Sequence, residues 1–203
     1  MKIKGNGQAK ILNSDELERL FIEGFTSSRD RCLFALCLFT GCRISEALAL
    51  NTSDIKNGTI TFRKSITKGK LKTREVAITP SLQRFFEEYT PTEGALFPGM
   101  HGRGHLSRYM ADRLLKAACH RIGVEGVSTH SFRRTALTQM HHAGIPLRVI
   151  QRISGHSSLA TLQRYLEVSD DDVREAVNVI GSKTPKPISH PPPEENWSDS
   201  FPF

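Results

Sequence analysis

The chain of 203 residues is long enough for one well-buried core and short for two full domains. Hydrophobic residues make up 38% and charged residues 24%, no apolar run approaches the roughly 20 residues of a membrane span, and the opening MKIKGNGQAK lacks the apolar stretch of a leader peptide, so a cytoplasmic protein is expected. Net charge is +7 and the pI about 9.4; the tail from Ser182 holds two lysines against three acids, so the body alone carries +8, which favours a polyanionic partner.

Residues 1–12 read as a short basic arm. Asn13 followed three residues later by Glu16 has the form of a capping box and predicts a helix to about Gly24. Residues 29–40 form a second, largely apolar helix closed by Gly41, and a short helix carrying Glu46, Ala47, Leu48 and Leu50 follows. From Thr59 to Thr79 the pattern changes to strands, with segments at Thr59–Arg63, Ser65–Thr67 and Glu75–Thr79, and a turn carrying Lys68, Lys70 and Lys72. Thr79–Pro80 predicts a helix start, with its end near Tyr89. Beyond a loop rich in glycine and proline, Ser107 caps a helix through Ile122. Further helices are expected from near His130 to Gly144, from Pro146 to about Ile153, and over Asp170–Ile180. The tail, 182–203, is rich in proline, serine and acids and is expected to be disordered. The fold class is therefore mainly α with a small antiparallel β-sheet, a single domain over 13–181.

Cys32 and Cys37 fall in an apolar helical pattern, and the four cysteines show no metal-ligand rhythm, so buried free thiols are expected. His101 and His105 in HGRGH lack a neighbouring Cys or acid to complete a metal site.

The chemistry concentrates in two stretches. In TGCRISEALAL, Arg43 follows a glycine at a helix junction, with Glu46 placed at i+3 to orient it. In the stretch from Thr129 to Leu166, His130 and Arg133 share one helix face, where both can reach a single anion. An arginine fork holds two phosphate oxygens, and an imidazole can donate to a third or take a proton. Gly155–His156 and Tyr165 complete the set. Taken singly, each residue has an ordinary use: Arg43 can pair with Glu46, His156 can cap a helix, Tyr165 can fill a core.

Together, TGCRISEALAL, HSFRRT and SGHSSLATLQRY resemble, in order and spacing, the two conserved boxes of the tyrosine recombinases, the phage integrase family, over roughly Leu12 to Val168. The resemblance implies the catalytic-domain fold of that family and site-specific cleavage and rejoining of double-stranded DNA, with neither metal nor nucleotide cofactor. It assigns Arg43 and Arg133 to the non-bridging oxygens of the scissile phosphate, His156 to one of them, and His130 to proton transfer at Tyr165, the nucleophile. A lysine on the hairpin acts as general acid; Lys68 aligns best and Lys70 is the alternative. With about a dozen residues before the catalytic fold, the chain is similar to the compact invertases of fimbrial switches; an excised catalytic domain of a larger recombinase is the other reading. Partners so implied are DNA, further copies of the chain up to a tetramer, and a DNA-bending accessory protein, with the protein on the nucleoid. A regulator or excision accessory with the same fold and no chemistry is the alternative, and a type I topoisomerase a second one; keeping the whole Arg-Lys-His-Arg-His-Tyr set counts against the first, and the short chain and the GHSS segment against the second.

Overall fold

Local capping chemistry sets most helix ends in the computed structural model, which describes residues 9–67, 72–99, 104–163, 173–174 and 177–178. The Asn13 side chain accepts from the Glu16 N–H while the Glu16 carboxylate accepts from the Asn13 N–H, and this box opens α1 (Ser14–Arg19). The helix does not continue unchanged to Gly24; it widens into a π-helical turn over Leu20–Gly24. Thr79 accepts from the Leu82 N–H at the head of α4 (Pro80–Tyr89), and Ser107 from the Met110 N–H at the head of α5 (Arg108–Ile122). Ser128 and Ser131 cap α6 (Thr129–His142) reciprocally.

The core is built around α2 (Ser28–Thr40), in which Cys32 to Cys37 are buried without interruption. A helix buried on every side needs no polar stripe, and α2 has none. Phe34 stacks on Phe25 at 4.8 Å between ring centroids and leans on Phe132 of α6 at 5.0 Å, while Phe21 meets Phe25 and Phe132 edge-on. Each fully buried ring is worth about 1.5–3 kcal/mol over an exposed one. All four cysteines are buried free thiols, with Cys37 Sγ 4.0 Å from Cys42 Sγ. A smaller cluster of Leu137, Ile150 and Leu162 joins α6 to α7 (Leu147–Ser154) and α8 (Leu159–Gln163).

The sheet has three antiparallel strands in the order β1 (Ile55–Lys56), β2 (Thr59–Phe62), β3 (Arg74–Ala77). Asn57 and Gly58, at φ +50° and +70°, form the two-residue turn that sets Ile55 opposite Ile60. Ile60 pairs with Val76 and Phe62 with Arg74, so β2 is central. The segment expected as a strand at Ser65–Thr67 is instead largely a 3₁₀ turn over Lys64–Ile66. Threonine hydroxyls there take the place of ladder bonds: Thr73 Oγ1 accepts from the Lys64 N–H, and Thr67 Oγ1 donates to the carbonyls of Lys64 and Lys72.

Lys68 and Lys70, the tail, Tyr165 and most of the helix expected over Asp170–Ile180 lie outside the described residues; of that helix, 173–174 and 177–178 are helical. No helix among the described residues is long and apolar enough to cross a membrane.

Candidate active site

Three parts of the chain meet around Arg133. α6 carries it into the interior, where its side chain is fully buried among Ser131 to Thr138. Its Nη1 donates to the Gly41 carbonyl, at the end of α2, and to the Ser154 carbonyl 3.0 Å away, at the end of α7. Its Nη2 lies 2.9 Å from His156 Nε2 and 3.2 Å from Nδ1. A guanidinium can only donate, and it brings its charge against the ring. One buried cation thus ties both sequence boxes together. Gly41, in the left-handed region at φ +60°, turns the chain so that its carbonyl faces Arg133 and the next residues lead into α3 (Ile44–Leu48).

Arg43 is the N-cap of α3. Its backbone N–H donates to Glu46 Oε2 at 3.0 Å and its Nη1 to Glu46 Oε1 at 3.1 Å, so the i+3 carboxylate orients it as expected. Glu46 is buried and has a second arginine partner: Arg74 Nη2 donates to Oε2 at 2.8 Å. Burial pushes the Glu46 carboxyl up, but the charge and hydrogen bond of Arg74, with the bonds and charge of Arg43, outweigh it and hold the group below the ordinary carboxylate range.

His156 follows Gly155, whose φ of +68° closes α7. The ring is 5% exposed, with Ser154 Oγ 2.7 Å from Nδ1, and the His156 carbonyl accepts from Gln151 Nε2 at 3.1 Å. Burial, then the positive charges of Arg133 and Arg43, push its pKa down to about 3, with Glu46 opposing and Arg74 adding to the fall. The imidazole is neutral at neutral pH.

Arg133 and His156 therefore meet in a buried, positively charged centre, and the half-buried Arg43 adds its charge to it. His130 stands in the first turn of α6, one helical turn before Arg133, with its side chain exposed. Lys68, Lys70 and Tyr165 lie outside the described residues. His105, from the glycine-rich loop, has Nε2 3.1 Å from Asn51 Oδ1. Among the described residues no three His, Cys, Asp or Glu side chains gather as a metal site.

Sequence reasoning missed Arg74, Ser154 and Gln151. For Arg74 the signal was present: strand alternation puts it on the same face as Val76, and an inward-facing charge requires partners. Ser154 and Gln151 gave no such signal, because their roles depend on where α7 ends.

The phage integrase family model matches residues 10–172. The chain is 31% identical over 159 residues to the probable integrase/recombinase YoeC of Bacillus subtilis, covering 76% of this chain and 86% of that protein. Against the XerD and XerC tyrosine recombinases of Corynebacterium glutamicum and Caldanaerobacter subterraneus it spans about half of each, at 35% and 33% identity. Among solved structures, the catalytic domain of bacteriophage HP1 integrase superposes with a TM-score of 0.60 at 26% identity, over 84% of this chain and 95% of that one. The XerH site-specific recombinase in a pre-cleavage complex with its difH substrate gives 0.63 at 26% identity, over 84% and 54%. With the two boxes folded against one buried arginine, the chain belongs to the phage integrase family and has the catalytic-domain fold of the tyrosine recombinases, enzymes that cleave and rejoin DNA at specific sites.

Proposed function

We propose that this chain recombines DNA at a specific site through a 3′-phosphotyrosyl intermediate formed by Tyr165, using cationic side chains in place of a metal. The observation that carries the reading is the contact of buried Arg133 with His156 and with both boxes, with the charge of Arg43 acting on the same imidazole. Forming a phenolate from a tyrosine of ordinary pKa costs about 4 kcal/mol at neutral pH, and a cationic cluster lowers that cost while stabilising charge on the equatorial oxygens of the transition state.

In this reading Arg43 and Arg133 hold the non-bridging oxygens of the scissile phosphate. A bound phosphate offsets two of the charges that depress His156, so the imidazole regains affinity for a proton and donates to the same anion. The Tyr165 oxygen attacks phosphorus as its proton leaves with the help of His130. The bond from phosphorus to the 5′ oxygen breaks, and Lys68, or Lys70 in its place, protonates that oxygen. Attack by a 5′-hydroxyl from another strand reverses the steps and releases Tyr165. The phosphodiester energy is retained throughout, so no nucleotide is consumed.

Double-stranded DNA as the partner is supported by the basic excess of the chain and by the XerH neighbour bound to difH. Exchange between two duplexes cuts four strands, one per active chain, so the reading includes four copies on two sites, with a DNA-bending accessory protein and residence on the nucleoid. The reading takes in recombination of the integrase and invertase types alike.

The test is a nicked suicide substrate drawn from the native genomic neighbourhood, with covalent adducts resolved on a denaturing gel. The wild type is expected to form an adduct that survives a chelator. Tyr165→Phe should form none while binding DNA nearly as well. Specific binding without any adduct would move the chain to a regulatory or accessory role.

A further inference from the structure

Resting on the recombinase reading above, we infer that Arg74 is a positioning residue for strand cleavage, tying β3 to both arginine boxes.

Arg74 begins β3, a few residues after Lys68 and Lys70 in the chain. Its side chain is 9% exposed and is held on four sides. Nη2 donates to Glu46 Oε2 at 2.8 Å, reaching the first box. Nε donates to the Ile153 carbonyl at 3.0 Å, reaching the last turn of α7 just before His156. The guanidinium lies over the Phe62 ring, 4.1 Å from its centroid, which fixes it to the central strand. Gly155 leaves room for it: a Cβ there would stand 3.1 Å from Nη1 and 3.3 Å from Cδ. A planar fork with donors in two directions can make the first two bonds at once, and a lysine ammonium on a flexible stem cannot hold both in this geometry.

Arg74 also changes what Arg43 can offer. With Arg43 as its only partner, the Glu46 carboxylate would cancel that charge within a closed pair. Shared between two arginines, it leaves the trio of Arg43, Arg74 and Glu46 with a net positive charge beside the phosphate site. Arg74 thus supplies orientation to Arg43 through Glu46 and holds the His156 turn through a carbonyl, while its own donors are taken up inside the protein.

The experiment measures single-turnover cleavage of the suicide substrate at saturating protein, together with DNA affinity and thermal stability, for the wild type, Arg74→Met, Arg74→Lys, Glu46→Gln and the double variant Glu46→Gln/Arg74→Met. A misplacement of reacting groups by about 1 Å is worth about 100-fold in rate, and we expect Arg74→Met to lose roughly that much. Its DNA dissociation constant should stay within about threefold, because the loss is in the chemical step and not in binding. Arg74→Lys keeps the charge and, losing the second bond, should recover only part of the rate. The double variant should cleave about as slowly as the slower single variant, because both act through one network. A full rate in Arg74→Lys, additive losses in the double variant, or a defect confined to DNA affinity would each overturn the assignment. Should Arg74→Met fail to fold, Arg74→Lys and Glu46→Gln with their rates decide alone. An adduct from the wild type with unchanged Arg74 variants removes the proposal only; no adduct from the wild type removes the recombinase reading and this proposal with it.

Discussion

Acid should weaken this protein through His156 before it protonates the carboxylates. The folded-state value of about 3 lies below the ordinary 6.5, so as the pH falls the unfolded chain takes up this proton first. Stability from the buried neutral ring is complete above about pH 6.5 and drains as the pH descends toward 3. Between about pH 7.5 and pH 5 the linkage gives a loss of about 2 kcal/mol, and at 5% exposure the ring is little screened by solvent. The charges facing the ring are Arg133, Arg43 and Arg74, with Glu46 opposing them. Glu46 acts in a lower window: its folded value is depressed, so its contribution is present above its ordinary 4.5 and is lost only below that, outside the chosen interval. The assay is urea unfolding at the two pH values for the wild type and for His156→Gln, whose amide carries no proton in this range. The wild type should lose about 2 kcal/mol more than the variant across the interval. Equal losses would mean that the ring is not held neutral by its surroundings, and the electrostatic account of the site would fall.

Gly155→Ala and Gly123→Ala make a matched pair, since both glycines close helices at nearly the same φ, +68° and +69°, yet only Gly155 has Arg74 against it. Each should lose about 1–2 kcal/mol in chemical denaturation from backbone strain. Only Gly155→Ala should also slow adduct formation, and equal cleavage rates in the two would show that Arg74 yields without consequence. DNA affinity, followed by fluorescence anisotropy, should fall linearly on a log–log plot against salt, at about one unit of slope per phosphate neutralised. A flat response would remove the basic body as the binding surface.

What the sequence revealed follows from how local each signal is. The Asn13–Glu16 box, Thr79–Pro80, Ser107 and Gly41 all act within one turn of chain, and each helix starts or stops where its chemistry places it. Arg43, Arg133 and His156 stood out as candidates because their order in the chain resembles that of a family, and the reach of Arg133 to the ends of α2 and α7 is a product of the fold. The π-helical turn at Leu20–Gly24 has no equivalent local cause; it lies where Leu20 and Gly24 are both buried and Gly24 stands close to Ala118 of α5, a matter of packing. The Asn57–Gly58 turn was readable and was passed over because β1 has only two residues and shows no alternation. For Arg74 the inward face was readable from strand alternation, but its partners were not. Its partners lie 28 and 79 residues away in the chain, and no spacing rule links them.

The segment just before α1 bears on the site from a distance. Arg134 donates to the Ala9 carbonyl, the Leu12 N–H donates to Thr135 Oγ1 at 2.9 Å, and Leu12 is buried in the core. Arg134 and Thr135 directly follow Arg133 on α6, so residues 9–12 are stitched to the helix that carries Arg133. Tension applied to the chain at Ala9 would be shared between α6, through these bonds, and α1, through the Lys10–Glu16 ion pair. A load drawing on this stitch would be passed to the helix that carries Arg133, so the geometry of that buried guanidinium is mechanically coupled to the chain before α1.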